Sequence, residues 1–397
     1  MKLFQRLLVA PAALGLFSPL AANATEVNLN DIANYSDVES IELANSFDNG
    51  ELTNNSLLAG GEGLVDTHSH DGSFSETTTA SFSADFAIGS LDGGTMTSDD
   101  VPHEAVEAYY GFQIDLNTSF TGEDSLDISI DAGNAGGAVT EFDLNGAAST
   151  STAGTTVSDA LTVDGVSYTF PLGGATVFVG DNTDGSALFS TACAYGGPSN
   201  TLDDCGNVNA GITGGGTAFG ASYDFDNGFT AAVGYAGEGS SSVKGLMTKQ
   251  GLDSFGINGA YTGDTYGVSV TYGSTETDAV YEDTFTAVNG YWAPEGFPSV
   301  SVGYEWGDDG SEGASSDGQT SYFVGVQFDE VGPGTLGAAL GTKTPTVEGT
   351  DELLMYEAFY SYPVNDGMTI TPLIYVKEFA AGTNDETGIM VKTSFSF

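Results

Sequence analysis

The chain has 397 residues, with 55 acids against only 7 lysines and arginines, a formal net charge of −48. A chain this acidic lacks the basic footprint that nucleic-acid binding requires, and anionic membrane surfaces repel it. Neither is it a disordered acidic polymer, because 40% of it is hydrophobic, with 24 Phe and 18 Tyr to bury.

The first element is the leader MKLFQRLLVAPAALGLFSPLAANATEV. Basic Lys2 and Arg6 precede an apolar stretch from Leu7 to Leu20, and Ala22-Asn23-Ala24 follows. This is the pattern of a secretory signal peptide cleaved after Ala24 (residues 1–24). The competing reading, an N-terminal membrane anchor, has a short apolar run to work with. Losing Lys2 and Arg6 takes the formal net charge from −48 to −50. No later apolar run approaches the ~18 residues a membrane helix needs.

Residues 25–75 are polar and acidic, a segment expected in the periplasm. His68 and His70 lie there beside Asp66 and Asp71. Two imidazoles two residues apart can hold a transition metal weakly; a polar linker is the plainer reading.

From residue 76 the pattern changes to alternation. Phe82, Ala84, Phe86 and Ile88 alternate with Ser81, Ser83 and Asp85. Tyr110, Phe112, Ile114 and Leu116 alternate with Gln113, Asp115 and Asn117, and Leu126, Ile128 and Ile130 with Asp127, Ser129 and Asp131. This period of two is the signature of strands with two unlike faces. Sixteen strands are predicted, at 78–90, 105–120, 124–132, 163–170, 175–181, 217–225, 229–237, 253–262, 265–273, 284–292, 299–306, 320–328, 334–342, 353–362, 367–379 and 387–397. TEFDLN near Glu141 also alternates but is read as part of a loop. Asp226-Asn227 and Gly263-Asp264 carry the residues that tight hairpin turns demand.

Short turns follow the even-numbered strands, and long, acidic or Gly/Ser-rich connections follow the odd ones. A soluble sandwich has no reason to sort its loops in this way, whereas an outer-membrane barrel does. The predicted fold is all-β: a transmembrane antiparallel β-barrel of about 16 strands over residues 76–397, with short periplasmic turns and long acidic external loops. The ending ETGIMVKTSFSF sets Ile389, Val391, Phe395 and Phe397 against Lys392, Ser394 and Ser396, as a last strand meeting lipid would. Tyr291, Trp292, Trp306, Tyr360 and Tyr362 fall near strand ends, where an aromatic girdle belongs.

The polar strand face supplies the candidate pore lining: Asp85, Gln113, Asp115, Asn117, Asp127, Asp131, Asp224, Glu305 and Glu357, with Lys392 the one basic residue on that face of the last strand. In a wet lumen these acids favour cations; in the alternative they are solvated residues without grip on selectivity. Cys193 and Cys205 lie in one loop and, in an oxidising compartment, form a disulfide. That loop, the third external one, either folds inward to constrict the pore or is a stiffened surface loop.

Acidic clusters GDDGSEG, TETDAVYED and NTLDDCGN are assigned to external loops. No cofactor is expected; loosely bound Ca or Mg at these loops is conceivable and would bridge them to neighbouring lipopolysaccharide. No histidine falls on a predicted strand, and there is no nucleophile elbow, phosphate loop or zinc motif, so an enzyme is not expected.

The leader MKLFQRLLVAPAALGL, the strand AYYGFQIDLNTSFTGEDSL, the turn YTFPLGGATVFVG and the ending ETGIMVKTSFSF resemble those of cyanobacterial outer-membrane porins, which include carbohydrate-selective and iron-uptake porins. The resemblance covers the leader and nearly all of the chain from about residue 76. It implies a trimeric or monomeric pore for small hydrophilic solutes, inorganic iron species among them. It also implies that Phe395 and Phe397 are read by the barrel-assembly machinery. Such porins usually carry an S-layer-homology module after the leader. Only YSDV, Tyr35 to Val38, is similar to its start, so cell-wall anchoring is not carried over. The alternative function is a plugged structural or binding barrel that displays acidic loops in the outer membrane.

Overall fold

The computed structural model describes residues 77–397 except 95–104, 135–138, 143, 145–149, 153–154, 158, 214–215, 240–244, 249–250, 278–280, 309, 311–317 and 381–382. The leader, residues 25–75 with His68 and His70, and His103 lie outside the described residues.

Sixteen long strands follow one another: β1 (Thr78–Asp92), β2 (Glu107–Thr118), β3 (Ser125–Gly133), β4 (Thr162–Leu172), β5 (Ala175–Thr183), β6 (Gly216–Asp224), β7 (Phe229–Gly237), β8 (Asp253–Thr262), β9 (Tyr266–Glu276), β10 (Glu282–Trp292), β11 (Ser299–Asp308), β12 (Gln319–Val331), β13 (Gly334–Thr342), β14 (Leu354–Asn365), β15 (Met368–Lys377) and β16 (Glu386–Ser396). Each pairs antiparallel with its neighbours in the chain, and β16 returns to β1 in a register running from Ser83↔Ser396 to Asp92↔Thr387. The sheet therefore closes without a free edge. The two-residue strand Thr346–Val347 adds to the end of β12, and a small hairpin, Thr150–Thr152 with Thr155–Val157, stands apart within the β3–β4 connection. All sixteen predicted strands correspond one to one with these. At the closing seam Phe82 and Phe397 exchange backbone hydrogen bonds of 3.0 Å each, and their rings stack with centroids 5.7 Å apart.

Loop lengths sort by parity, with one difference. Strands β9 and β10 run further than the alternation indicated and leave only residues 277–281 between them, because the ladder continues through Thr275↔Asp283 and Glu276↔Glu282. At the short-turn end Asp226 and Gly228 take left-handed φ values of 58° and 86°, which closes the β6–β7 turn with Phe225 N–H donating to Phe229 O at 3.0 Å. Asp124 closes the β2–β3 turn. It accepts from Tyr168 Oη at 2.6 Å and from the Thr121 N–H at 2.7 Å. These donors, the Tyr168 hydroxyl foremost, hold its carboxyl well below the usual carboxylate range.

The strand alternation sorts outward from inward side chains. On β1, Phe86 and Ile88 stand half-exposed outside, while Asp85 and Ala87 between them are buried inside. Val233, Phe255, Ile257, Val268 and Val270 continue the outer apolar belt. Such a belt is unfavourable in water and gains on the order of 1.5–3 kcal/mol per large side chain in an apolar medium. Aromatic contacts cluster at both strand ends: Phe229–Tyr261 at 4.9 Å and Tyr261–Tyr266 at 5.4 Å near the short turns, Tyr304–Trp306 at 5.8 Å near the long connections. Tyr291 departs from its expected place in the girdle. Its position in β10 points inward, and its hydroxyl donates to Gly263 O at 2.8 Å.

Candidate functional site: the barrel interior

The third long connection, between β5 and β6, turns into the barrel and crosses its inner wall. Along residues 190–196 the N–H groups of alternate residues face the wall. Each meets a polar side chain from another strand. Ser190 N–H donates to Asn258 Oδ1 on β8 at 2.9 Å, and Ala192 N–H to Ser269 Oγ on β9 at 2.9 Å. Ala194 N–H reaches Ser301 Oγ on β11 at 2.8 Å, and Gly196 N–H reaches Gln327 Oε1 on β12 at 2.9 Å. Wall side chains thus replace a backbone ladder for a segment that crosses the strands.

The return limb is held harder. Cys193 and Cys205 are bonded, with Cα atoms 6.4 Å apart, and Cys205 O accepts from Asn289 Nδ2 on β10 at 2.8 Å. Glu305 Oε2 on β11 accepts from the N–H groups of Asn209 and Ala210, both at 2.8 Å, and Oε1 from Asn209 Nδ2 at 3.0 Å. Nearby, burial raises the Asp204 carboxyl to about 6; the Gly206 N–H opposes this and the Glu305 charge adds to it. The loop lies so close to the wall that a Cβ on Gly303 would sit 1.8 Å from Cys205 O, and one on Gly234 1.9 Å from Gly185 O.

The segment around Glu141, expected in a loop, also lies inside. Phe142 forms a bridge with Ser199, and Asn200 N–H donates to Glu141 O at 2.9 Å. Val139, Phe142 and Leu144 are buried with Tyr195, Leu202 and Cys205 of the third connection against Phe323, Met355, Phe359, Leu373, Tyr375 and Met390 of the wall. The inner face of β12–β16 therefore carries a cluster of apolar side chains among its polar ones, where a polar face was expected, because loops rather than water cover it. The Tyr195 hydroxyl donates to Glu357 Oε1 in this core at 2.6 Å; burial and the Glu357 charge push the phenol up, which keeps it a donor.

The candidate lining residues divide accordingly. Glu305 and Glu357 face inward but are covered by the third connection, so they clamp a loop instead of lining water. Asp85 is also buried; it sits across from Gly111 and diagonal to Lys392. Lys392 Nζ lies 5.6 Å from the centre of the Phe142 ring. Gln113, Asp115, Asn117, Asp127 and Asp131 form one polar strip on β2 and β3. Gln113 Nε2 donates to Asp115 Oδ1 at 2.8 Å, and Ser129 Oγ donates to the same carboxylate. Asn117 Nδ2 donates to Asp127, and Thr162 Oγ1 to Asp131 Oδ1 at 2.6 Å. Gln113, Asp115, Asp127 and Ser129 are only partly buried, in contrast to the covered polar side chains of β8–β14. Asp224 lies exposed at the short-turn end and accepts from the Asp226 N–H at 2.8 Å. NTLDDCGN belongs to the inward third connection, which corrects its assignment to the outer surface. Among the described residues no group of three His, Cys, Asp or Glu side chains is placed to hold a metal.

Solved structures with this architecture are all-β barrels. A double mutant of Rh. blastica porin is 15% identical and superposes with a TM-score of 0.53, covering 81% of this chain and 100% of its own. Two triple mutants of the same porin, one described as Rhodopseudomonas blastica porin, are 14% identical with the same coverage and a TM-score of 0.53. The barrel has the porin fold. No family model and no curated protein matches the sequence.

Within this porin fold, sequence reasoning missed the side chains that carry the third connection: Asn258, Ser269, Ser301, Gln327 and Asn289. Their signal was present, as small polar residues at inward positions on successive strands, but it reads equally as pore lining. Glu141 and Lys377 were also missed, because the second long connection gave no local sign of turning inward.

Proposed function

We propose that the protein is an outer-membrane porin: a water-filled channel for passive diffusion of small hydrophilic solutes and ions, favouring cations. The observation that carries this is the asymmetry of the interior. Two inward connections cover the wall formed by β8–β16, while Asp115 and Asp127 on β2 and β3 stay partly open. Acids facing a narrowed aqueous path lower the energy of cations there and raise that of anions. The described lysines offer little counterweight. Lys377 pairs with Glu141, and Lys343 Nζ lies 3.1 Å over the Phe379 ring, where burial lowers its pKa. An outer apolar belt on a closed sheet suits the outer-membrane lipid. On this reading the leader exports the chain, the assembly machinery reads Phe395 and Phe397, and a homotrimer displays loops that Ca or Mg bridges to lipopolysaccharide. A cyanobacterial-type porin passing sugars or inorganic iron is the finer form of the proposal.

The experiment is single-channel recording in a planar bilayer under a salt gradient. Steady ohmic steps with a cation-ward reversal potential are expected, and Asp115→Asn with Asp127→Asn should move that potential toward zero. The apolar core inside the barrel favours a second reading, a plugged structural barrel. A folded barrel that never conducts would establish that reading and overturn the first.

A further inference from the structure

Three lysines fall among the described residues, and the two with inward strand positions, Lys377 on β15 and Lys392 on β16, are both met by the tip of the second long connection. Glu141 pairs with Lys377, the two side chains being 4% and 17% exposed. The ring of Phe142, next in the chain, lies over Lys392. Neither residue hangs freely. Glu141 Oε1 also accepts from the Thr201 N–H at 3.1 Å, and Asn200 Nδ2 donates to Thr140 O at 2.9 Å. Phe142 itself is 2% exposed against Met390, Leu373 and Tyr375. The tip is thus locked to the third connection on one side and to the wall on the other, and what it covers is the wall's positive charge.

We propose that residues 139–142 and 144 are an electrostatic mask. They withdraw Lys377 and Lys392 from the solute path, so that among the described residues the acids of β2 and β3 set ion preference. Glu141 acts as a positioning residue: it cancels one lysine and, by holding Phe142 in place, shields the other. The inference rests on the porin reading but names a different residue set from the one that reading depends on. A unit charge about 8 Å from the ion path changes each ion's local concentration about twofold in water, in opposite directions for the two signs. Unmasking should therefore lower the cation-to-anion permeability ratio by about two- to five-fold, less at high salt.

The test compares reversal potentials of the wild type, Glu141→Gln, Lys377→Gln and the exchange Glu141→Lys with Lys377→Glu. The ratio should fall in Glu141→Gln, stay level or rise in Lys377→Gln, and recover in the exchange variant. An unchanged ratio in Glu141→Gln, a fall in Lys377→Gln or no recovery in the exchange would each overturn the mask. A second measurement needs no conduction. Lys392→Cys, in barrels whose folding is checked by heat-modifiable gel mobility, is reacted with a charged thiol reagent. Labelling should be slow, and at least about tenfold faster when Glu141→Gln is added; equal rates overturn the proposal. If the wild type carries no current, the porin reading and the mask's effect on ion preference both fail; labelling that still accelerates then leaves Glu141 only as the residue that holds the cover over Lys392.

Discussion

Glu305 gives the sharpest test of how the third connection is held. Its carboxylate takes three hydrogen bonds from Asn209 and Ala210, and bonds to a charged acceptor are worth about 1.5–3 kcal/mol each. Removing them also removes the cost of burying the carboxylate, so the three values do not simply add. Glu305→Ala leaves two N–H groups without an acceptor, one of them on fully buried Ala210, and a net loss of about 3–5 kcal/mol follows. Glu305→Gln keeps one carbonyl oxygen for the two N–H groups. The Asn209 amide can turn its oxygen toward the new NH2, so only the charge assistance is lost, about 1–1.5 kcal/mol. Hydrogen exchange of the Ala210 amide in folded, detergent-solubilised barrel reads this local opening directly. At about 1.4 kcal/mol per tenfold, exchange should quicken from about 10²-fold to several thousandfold in Glu305→Ala and about tenfold in Glu305→Gln. A change below about threefold in Glu305→Ala would refute the clamp, whatever the barrel's own stability.

Other outcomes follow from the same interior. Gly303→Ala places a methyl group where Cys205 O now sits, so the barrel should still fold by heat-modifiable mobility while protease cuts the third connection; a loop as resistant as wild type would contradict the close approach. Asp204 has a raised carboxyl pKa in the docked loop, so the docked state holds the proton: its stabilisation is complete below about pH 4 and is lost as pH rises through about 6. Exchange protection of residues 204–210, corrected for intrinsic rates, should therefore be greater at pH 5 than at pH 7.5 and lose this dependence in Asp204→Asn. Replacing both Cys193 and Cys205 by Ser removes a cross-link that spans 12 residues, worth about 2–3 kcal/mol to the loop. Noisier open-channel current is expected, and a current as quiet as wild type would assign the loop's order to its wall contacts alone.

Much of the candidate site could be read in advance only as a class of residues. Asp115, Asp127 and Asp131 were legible as inward acids from alternation alone, and the first two stay partly open while Asp131 is buried. Glu305 and Glu357 had the same alternation and the same chemistry, yet they serve a loop. Nothing local separates the two groups, because the difference lies in what covers them: water over β2 and β3, chain over β11 and β14. The inward Met355, Phe359 and Leu373 follow the same logic. Alternation assigns them to the inner face, but their apolar character makes sense only once Phe142, Tyr195 and Leu202 are packed on them.

The sequence by itself determined the sixteen strands, their two faces and the sorting of short turns from long connections. These follow from a period of two and from turn chemistry, which act over a few residues at a time. The tertiary structure alone decided that the second and third connections turn inward, which acids stay in water and which lysines are covered. Those outcomes join residues as far apart in the chain as Glu141 and Lys377. Such a contact costs loop closure and is returned only when the whole barrel has brought its partners together.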